Sequence, residues 1–129
     1  MNIVGSAIAL SVVDLAASCR FFTTHLGFRE LVASEDFACL ERDDGAVEVV
    51  LLQRDPELPP SASPGPTGVL MSFAVTDIVT EQNRLLRAHA PITVPLRREP
   101  GGQWILQLTD PNGVEVQLTE WSPPAGTTH

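Results

Sequence analysis

The chain's most suggestive chemistry lies near its end, where Gln117 stands third in the alternating run Glu115-Val116-Gln117-Leu118-Thr119. A second glutamine, Gln107, precedes the turn Asp110-Pro111-Asn112-Gly113. A carboxamide offers two donors and an acceptor but does not titrate near neutral pH, so such a pair can orient a guest and cannot move protons. If Pro111, Asn112 and Gly113 form a three-residue hairpin loop with Gly113 in the left-handed region, Asp110 faces Val114, Leu108 faces Val116 and Leu106 faces Leu118. One sheet face is then apolar. The other sets Gln107 opposite Gln117 and Thr109 opposite Glu115, with Thr119 beyond, and Glu115 is its only candidate for general acid or base work.

Other polar residues have structural roles ready to hand. His25 and His89 fall in the last turns of predicted helices, where a donor or cation satisfies free carbonyls, and His129 ends the chain. Glu48 and Gln53 carry oxygen ligands, but no histidine is placed to join them in a metal site. Cys19, on a predicted helix face, and Cys39, inside a predicted strand, read as reduced core residues. Trp104 follows the flexible run Glu99-Pro100-Gly101-Gly102. It is a candidate to stack on a planar guest, and equally, by its phase with Leu106 and Leu108, a core residue. Trp121 reads as packing at the sheet end. No Walker loop, dinucleotide fingerprint, zinc-binding helix or nucleophile elbow is present.

The elements that must position these residues are written twice. Residues Ala7 to Phe28 and Leu70 to Pro91 share an apolar strand, then Val-x-Asp-Leu/Ile, then a helix. Val12, Asp14 and Leu15 correspond to Val75, Asp77 and Ile78, and each aspartate is placed to cap the helix that follows. Spacing predicts helices from Leu15 to Leu26, stopped by Gly27, and from Ile78 to Ala88, with Ile78, Leu85 and Leu86 buried. Three strands follow each helix: Arg29 to Ser34, Phe37 to Glu41 and Val47 to Leu52, then Ile92 to Arg98, Trp104 to Thr109 and Val114 to Glu120. The prediction is an α+β fold of two βαβββ modules in one domain, 1–129. Module one covers about 3–53, a proline-rich linker 54–68, module two 69–121 and a flexible tail 122–129. The first strand is small on one face (Ala7, Ala9, Ser11) and bulky on the other (Ile8, Leu10, Val12). Its counterpart sets Leu70, Ser72 and Ala74 against Met71, Phe73 and Val75. Small and polar groups on one face predict a sheet backed by helices and open to a ligand cavity.

Length and composition narrow the partners. A chain of 129 residues buries roughly two-thirds of its unfolded surface, enough for a core. A net charge of −8 with 8 Lys+Arg argues against nucleic acid, whose phosphates call for clustered basic groups. The apolar stretches fall short of the ~20 residues a membrane span needs. The first nineteen residues lack a basic leader region, and Asp14 interrupts their apolar run, so the expected location is cytoplasmic.

With these features the sequence resembles the vicinal oxygen chelate superfamily, which includes glyoxalase I, extradiol dioxygenases, fosfomycin-resistance enzymes and bleomycin-resistance proteins. The resemblance rests on ALSVVDLAASCRFFTTHLGF, SFAVTDI and LTDPNGVEVQL, and runs from about Ile3 to Trp121. It implies paired modules forming a U-shaped cleft, usually in a homodimer. In the family's metalloenzymes the ligands sit at the start of each module's first strand and on its last strand. Those positions fall here on Ala7, Leu70, Val49 or Val50, and Gln117. Hydrocarbon at three of four leaves too few donors for a divalent ion. The resemblance therefore points to the bleomycin-resistance branch: a protein without metal or other cofactor and with no catalytic residue, sequestering an antibiotic or related small organic molecule. The expected ligand-binding residues are Ala7, Ala9, Ser11, Leu70, Ser72, Trp104, Gln107, Gln117 and Thr119. The alternatives are a glyoxalase- or dioxygenase-type enzyme with an atypical ligand set, a metal-free lyase or isomerase using Glu115 as base, and a module that has kept only its dimer interface.

Overall fold

The computed structural model describes residues 1–54 and 69–120. The linker reading, apart from Arg54, and the readings of Trp121 and the tail with His129 lie outside these residues. The chain divides into two compact units, Met1–Thr67 with Pro111–Gly113, and Gly68–Asp110 with Val114–His129. The first contains β1 (Ala7–Val12), α1 (Leu15–His25), β2 (Arg29–Ala33), β3 (Phe37–Glu41) and β4 (Glu48–Gln53). The second contains β5 (Leu70–Ala74), α2 (Ile78–Arg87), β6 (Ile92–Arg98), β7 (Trp104–Thr109) and β8 (Glu115–Glu120). Each unit holds one four-stranded sheet, ordered β1-β4-β3-β2 in the first and β5-β8-β7-β6 in the second. The fold is α+β, two βαβββ modules.

Both helices begin as their sequences dictate. Asp14 and Asp77 adopt non-helical backbone and accept from the amides of Ala17 and Thr80, three residues on, satisfying donors that the open first turn leaves over. They stop differently. Gly27 follows α1 at φ +71°, the left-handed conformation glycine adopts without penalty. At the end of α2 that conformation belongs to His89, at φ +53°, so this histidine lies past the helix instead of in its last turn.

The core of each unit is the helix-facing side of its sheet. In the first, Leu10, Val12, Ala38, Leu40, Val49 and Leu51 are buried beneath α1. That helix buries Leu15, Ala17, Ser18, Cys19, Phe21 and Phe22. Phe22 stands edge-on to both Phe21 and Phe28, with ring centroids 5.5 Å apart in each pair, the arrangement that ring quadrupoles favour. In the second unit Leu106, Leu108, Val114, Val116 and Leu118 lie under α2, which buries only Ile78 and Leu85. Leu86, expected inside, is 56% exposed. It sits one residue, or about 100°, around the helix from Leu85, whose seven-residue spacing from Ile78 keeps that pair in line.

The closing hairpin has the register that alternation predicts. Leu106 pairs with Leu118, Gln107 with Gln117, Leu108 with Val116 and Thr109 with Glu115. The Asp110 amide donates to the Val114 carbonyl at 2.8 Å, and Gly113 takes φ +86°.

Candidate functional site

Each sheet has one face turned from its helix, and the two faces differ in chemistry. In the first unit the register lays Ala9, Val50, Cys39 and Val32 in one row across all four strands, and Ser11, Leu52 and Phe37 in the next. Ala7 and Ala9 are exposed and Ser11 half-buried, as the small-residue pattern implies for an open face. Val32 and Leu52 are exposed apolar groups at 52% and 39%. Cys39, read from the sequence as a core residue, is half-buried in this open row, because its neighbours Ala38 and Leu40 take the helix side. Cys19 is in the core, and burial pushes its thiol pKa up, which leaves it a weak nucleophile.

The open face of the second unit is polar. Ser72 on β5 lies beside Gln117 on β8, which lies opposite Gln107 on β7. The Ser72 hydroxyl donates to Gln117 Oε1 at 3.4 Å. Thr109 shares a hydrogen bond of 3.0 Å with the hydroxyl of Thr93 on β6. Glu115 and Leu70, neighbours in register, are exposed at one end of this face. At the other, Thr119 pairs with Ile105 and both are buried, at 4% and 3%. Accessibility therefore centres on Gln107, Gln117 and Ser72. Trp104, offered by the sequence either to a guest or to the core, pairs with Glu120 and alternates with Leu106 and Leu108 onto the helix side. The strand's period of two removes it from the open face.

Sequence reasoning missed Phe37, Cys39, Val50 and Leu52 as an open-face group, and Thr93 beside Thr109. The alternation of Phe37 to Glu41 carried that signal, but apolar residues on both sides of the strand conceal which side is buried.

Gln53 is also explained. Its Oε1 accepts from the Leu15 amide at 3.0 Å, and its Nε2 donates to the Val13 and Arg54 carbonyls at 2.8 and 2.9 Å. It closes α1 from the end of β4 and is not available as a metal donor. Glu120, at the end of β8, does the same for α2, accepting from the Ile78 amide at 2.8 Å. The hairpin tip belongs to the first unit as well. Asn112 Oδ1 accepts from the Asp14 amide at 3.0 Å, while its Nδ2 donates to the Asp14 carbonyl at 2.6 Å and to the Ser18 hydroxyl at 2.7 Å.

Register resolves the choice between Val49 and Val50. Gln117 pairs with the third residue of β5, Ser72, and the third residue of β1, Ala9, pairs with Val50; Val49 is fully buried on the helix side. The positions at which the resemblance places metal ligands are thus Ala7 and Val50 in the first unit, Leu70 and Gln117 in the second. Three lack a donor atom and the fourth has a neutral amide, so these residues do not fit a divalent ion. No cluster of three or more His, Cys, Asp or Glu side chains suited to a metal occurs among the described residues. No described helix is long and apolar enough to cross a membrane.

Two βαβββ modules, each with one sheet face turned from its helix, define the class of fold. The sequence from residue 6 to 118 matches the model of the Glyoxalase/Bleomycin resistance protein/Dioxygenase superfamily, and the chain belongs to that superfamily. Among solved structures, a glyoxalase/bleomycin resistance protein/dioxygenase from Nocardioides is similar at 21% identity and TM-score 0.73, covering 100% of this chain and 91% of that one. TioX from Micromonospora sp. ML1 is similar at 23% identity and TM-score 0.71, covering 90% and 97%. Lactoylglutathione lyase from Agrobacterium tumefaciens is similar at 20% identity and TM-score 0.68, covering 89% and 91%. No curated protein is a significant match to the sequence.

Proposed function

We propose that this protein binds a small organic molecule, of antibiotic or related type, without altering it and without a metal ion. One observation carries the reading: the four positions that would supply a metal centre in this superfamily hold Ala7, Val50, Leu70 and Gln117, while the open sheet faces keep small, apolar and hydrogen-bonding side chains. On the open face of the first unit, Ala7, Ala9 and Ser11 leave space above β1 for apolar surface. On that of the second, Ser72, Gln107 and Gln117 supply the few directional bonds by which a site orients its occupant. Cytoplasmic location and assembly as a homodimer belong to the same proposal.

The test is a thermal-shift screen of the purified protein against aromatic antibiotics, beside elemental analysis. The expected result is a raised melting temperature with at least one compound and no stoichiometric metal. For a compound so found, Gln117→Ala should weaken binding by about tenfold to a hundredfold, the loss expected when a hydrogen bond to the guest is removed. About one transition-metal ion per chain, lost in that variant, would overturn the reading. Turnover of a bound compound that Glu115→Gln abolishes would replace it with the lyase or isomerase alternative, in which Glu115 is the base.

A further inference from the structure

The orientation of Gln117 carries information about what it binds. A carboxamide is planar, with its acceptor and its donors at opposite corners. Ser72 lies beside it in register, and the Ser72 hydroxyl takes up Gln117 Oε1 at 3.4 Å. Among the described residues this is the only hydrogen-bond partner of the Gln117 side chain. With Oε1 engaged by a neighbouring strand, Nε2 and its two N–H groups are left for whatever occupies the face. Charge then restricts the occupant. Glu115, two residues away on β8, points to the same side and is exposed, so an anion there would meet a carboxylate. The cation in register with Ile105 on that side is Arg97, and it is already held by Glu99 at 3.0 Å. A guest's cationic group, in turn, has no lone pair to offer an N–H donor, so the atom that meets Nε2 is a neutral acceptor.

We propose that Ser72 is a positioning residue that fixes Gln117 as a hydrogen-bond donor, and that the molecule bound on this face presents an uncharged carbonyl-type oxygen to Gln117 Nε2. The proposal rests on the small-molecule reading of the site and names the chemical class that reading leaves open. It also separates the roles of the two glutamines. Gln107 has no described side-chain partner and is free to turn either end toward a guest, so discrimination belongs to Gln117.

Two probes of nearly equal shape test this on the full-length protein: 2-acetylnaphthalene, which carries the carbonyl oxygen, and 2-isopropylnaphthalene, which replaces it with a methyl group. Wild type should bind the ketone about tenfold more tightly, the value of one well-made hydrogen bond on the affinity scale. Gln117→Leu should bring the ratio close to one. Ser72→Ala should lower ketone affinity several-fold while leaving hydrocarbon affinity unchanged, and Ser72→Thr, which keeps the hydroxyl, should restore the preference. A merely structural role for Ser72 would move both probes together. Persistence of the ketone preference in Gln117→Leu, or an unchanged ratio in Ser72→Ala, overturns the proposal. Failure of both probes to bind, or binding of both undisturbed by Ala74→Phe on the same face, overturns the placement of a small-molecule site on this face and with it the guest class. The orientation of Gln117 is then read in the free protein from its side-chain NH2 resonances. Loss of their order in Ser72→Ala supports the positioning role, and unchanged order overturns it.

Discussion

The two units share one plan and spend their residues differently. The first has a helix that buries six residues, three edge-packed phenylalanines and an open face that is largely apolar. The second has a helix anchored by Ile78 and Leu85 alone and an open face on which Ser72, Thr109, Gln107, Gln117 and Glu115 stand beside Leu70 and Ile105. Modules with such different open faces can use the same strand order, because core and open face fall on opposite phases of each strand. Changes on one phase of a strand should act on stability, and changes on the other on binding.

The largest effect that would break this comparison is expected at Phe22, which is fully buried at the centre of the aromatic cluster. Phe22→Ala should cost about 3 to 5 kcal/mol in urea denaturation. Next come the strand-end caps. Glu120→Leu leaves the buried Ile78 amide without its acceptor and should cost about 1.5 to 3 kcal/mol, as for a lost bond to a charged group. Glu120→Gln should cost much less, since Gln53 performs this task at Leu15 with an amide. If the two substitutions proved equally damaging, the equivalence of the two caps would fail.

The helix stops provide a smaller contrast. His89→Gly relieves a left-handed residue with a side chain and should stabilise the protein by about 0.5 to 1 kcal/mol. Gly27→Ala should destabilise it, because the position has positive φ and an added Cβ would meet Arg42 Nη1 at 2.6 Å. The smallest effect is one of pH. The Asp77 carboxyl is held below its ordinary value of 3.8 by the Thr80 hydroxyl and amide that donate to it. Its cap is intact above the unfolded value and lost as pH falls through the lower folded one. Asp77→Asn should therefore flatten the acid side of the stability profile, measured as urea midpoints from pH 5 to pH 3.

What could be read from the sequence was what is local. The hairpin from Trp104 to Glu120 is set by a loop of defined length and a strict alternation, so both its register and its polar face were legible, including the opposition of Gln107 and Gln117. The helix starts were legible because an aspartate caps within three residues. The run from Val47 to Leu52 does not alternate, so only pairing with β1 shows that Val50 and not Val49 faces outward. Trp104 was ambiguous for a different reason: a tryptophan suits a core and a ligand equally, and only register decides. The caps by Gln53 and Glu120 and the grip of Asn112 join residues far apart in the chain, and no periodicity reports them.

That grip has an implication for how such a chain could be divided. Residues 111 to 113 lie in the second repeat by sequence and in the first unit by contact. A gene cut between the repeats would yield a front half whose α1 keeps its own Asp14 cap but loses Asn112, the acceptor of the Asp14 amide and one partner each of the Asp14 carbonyl and the Ser18 hydroxyl. The two halves are therefore not interchangeable copies.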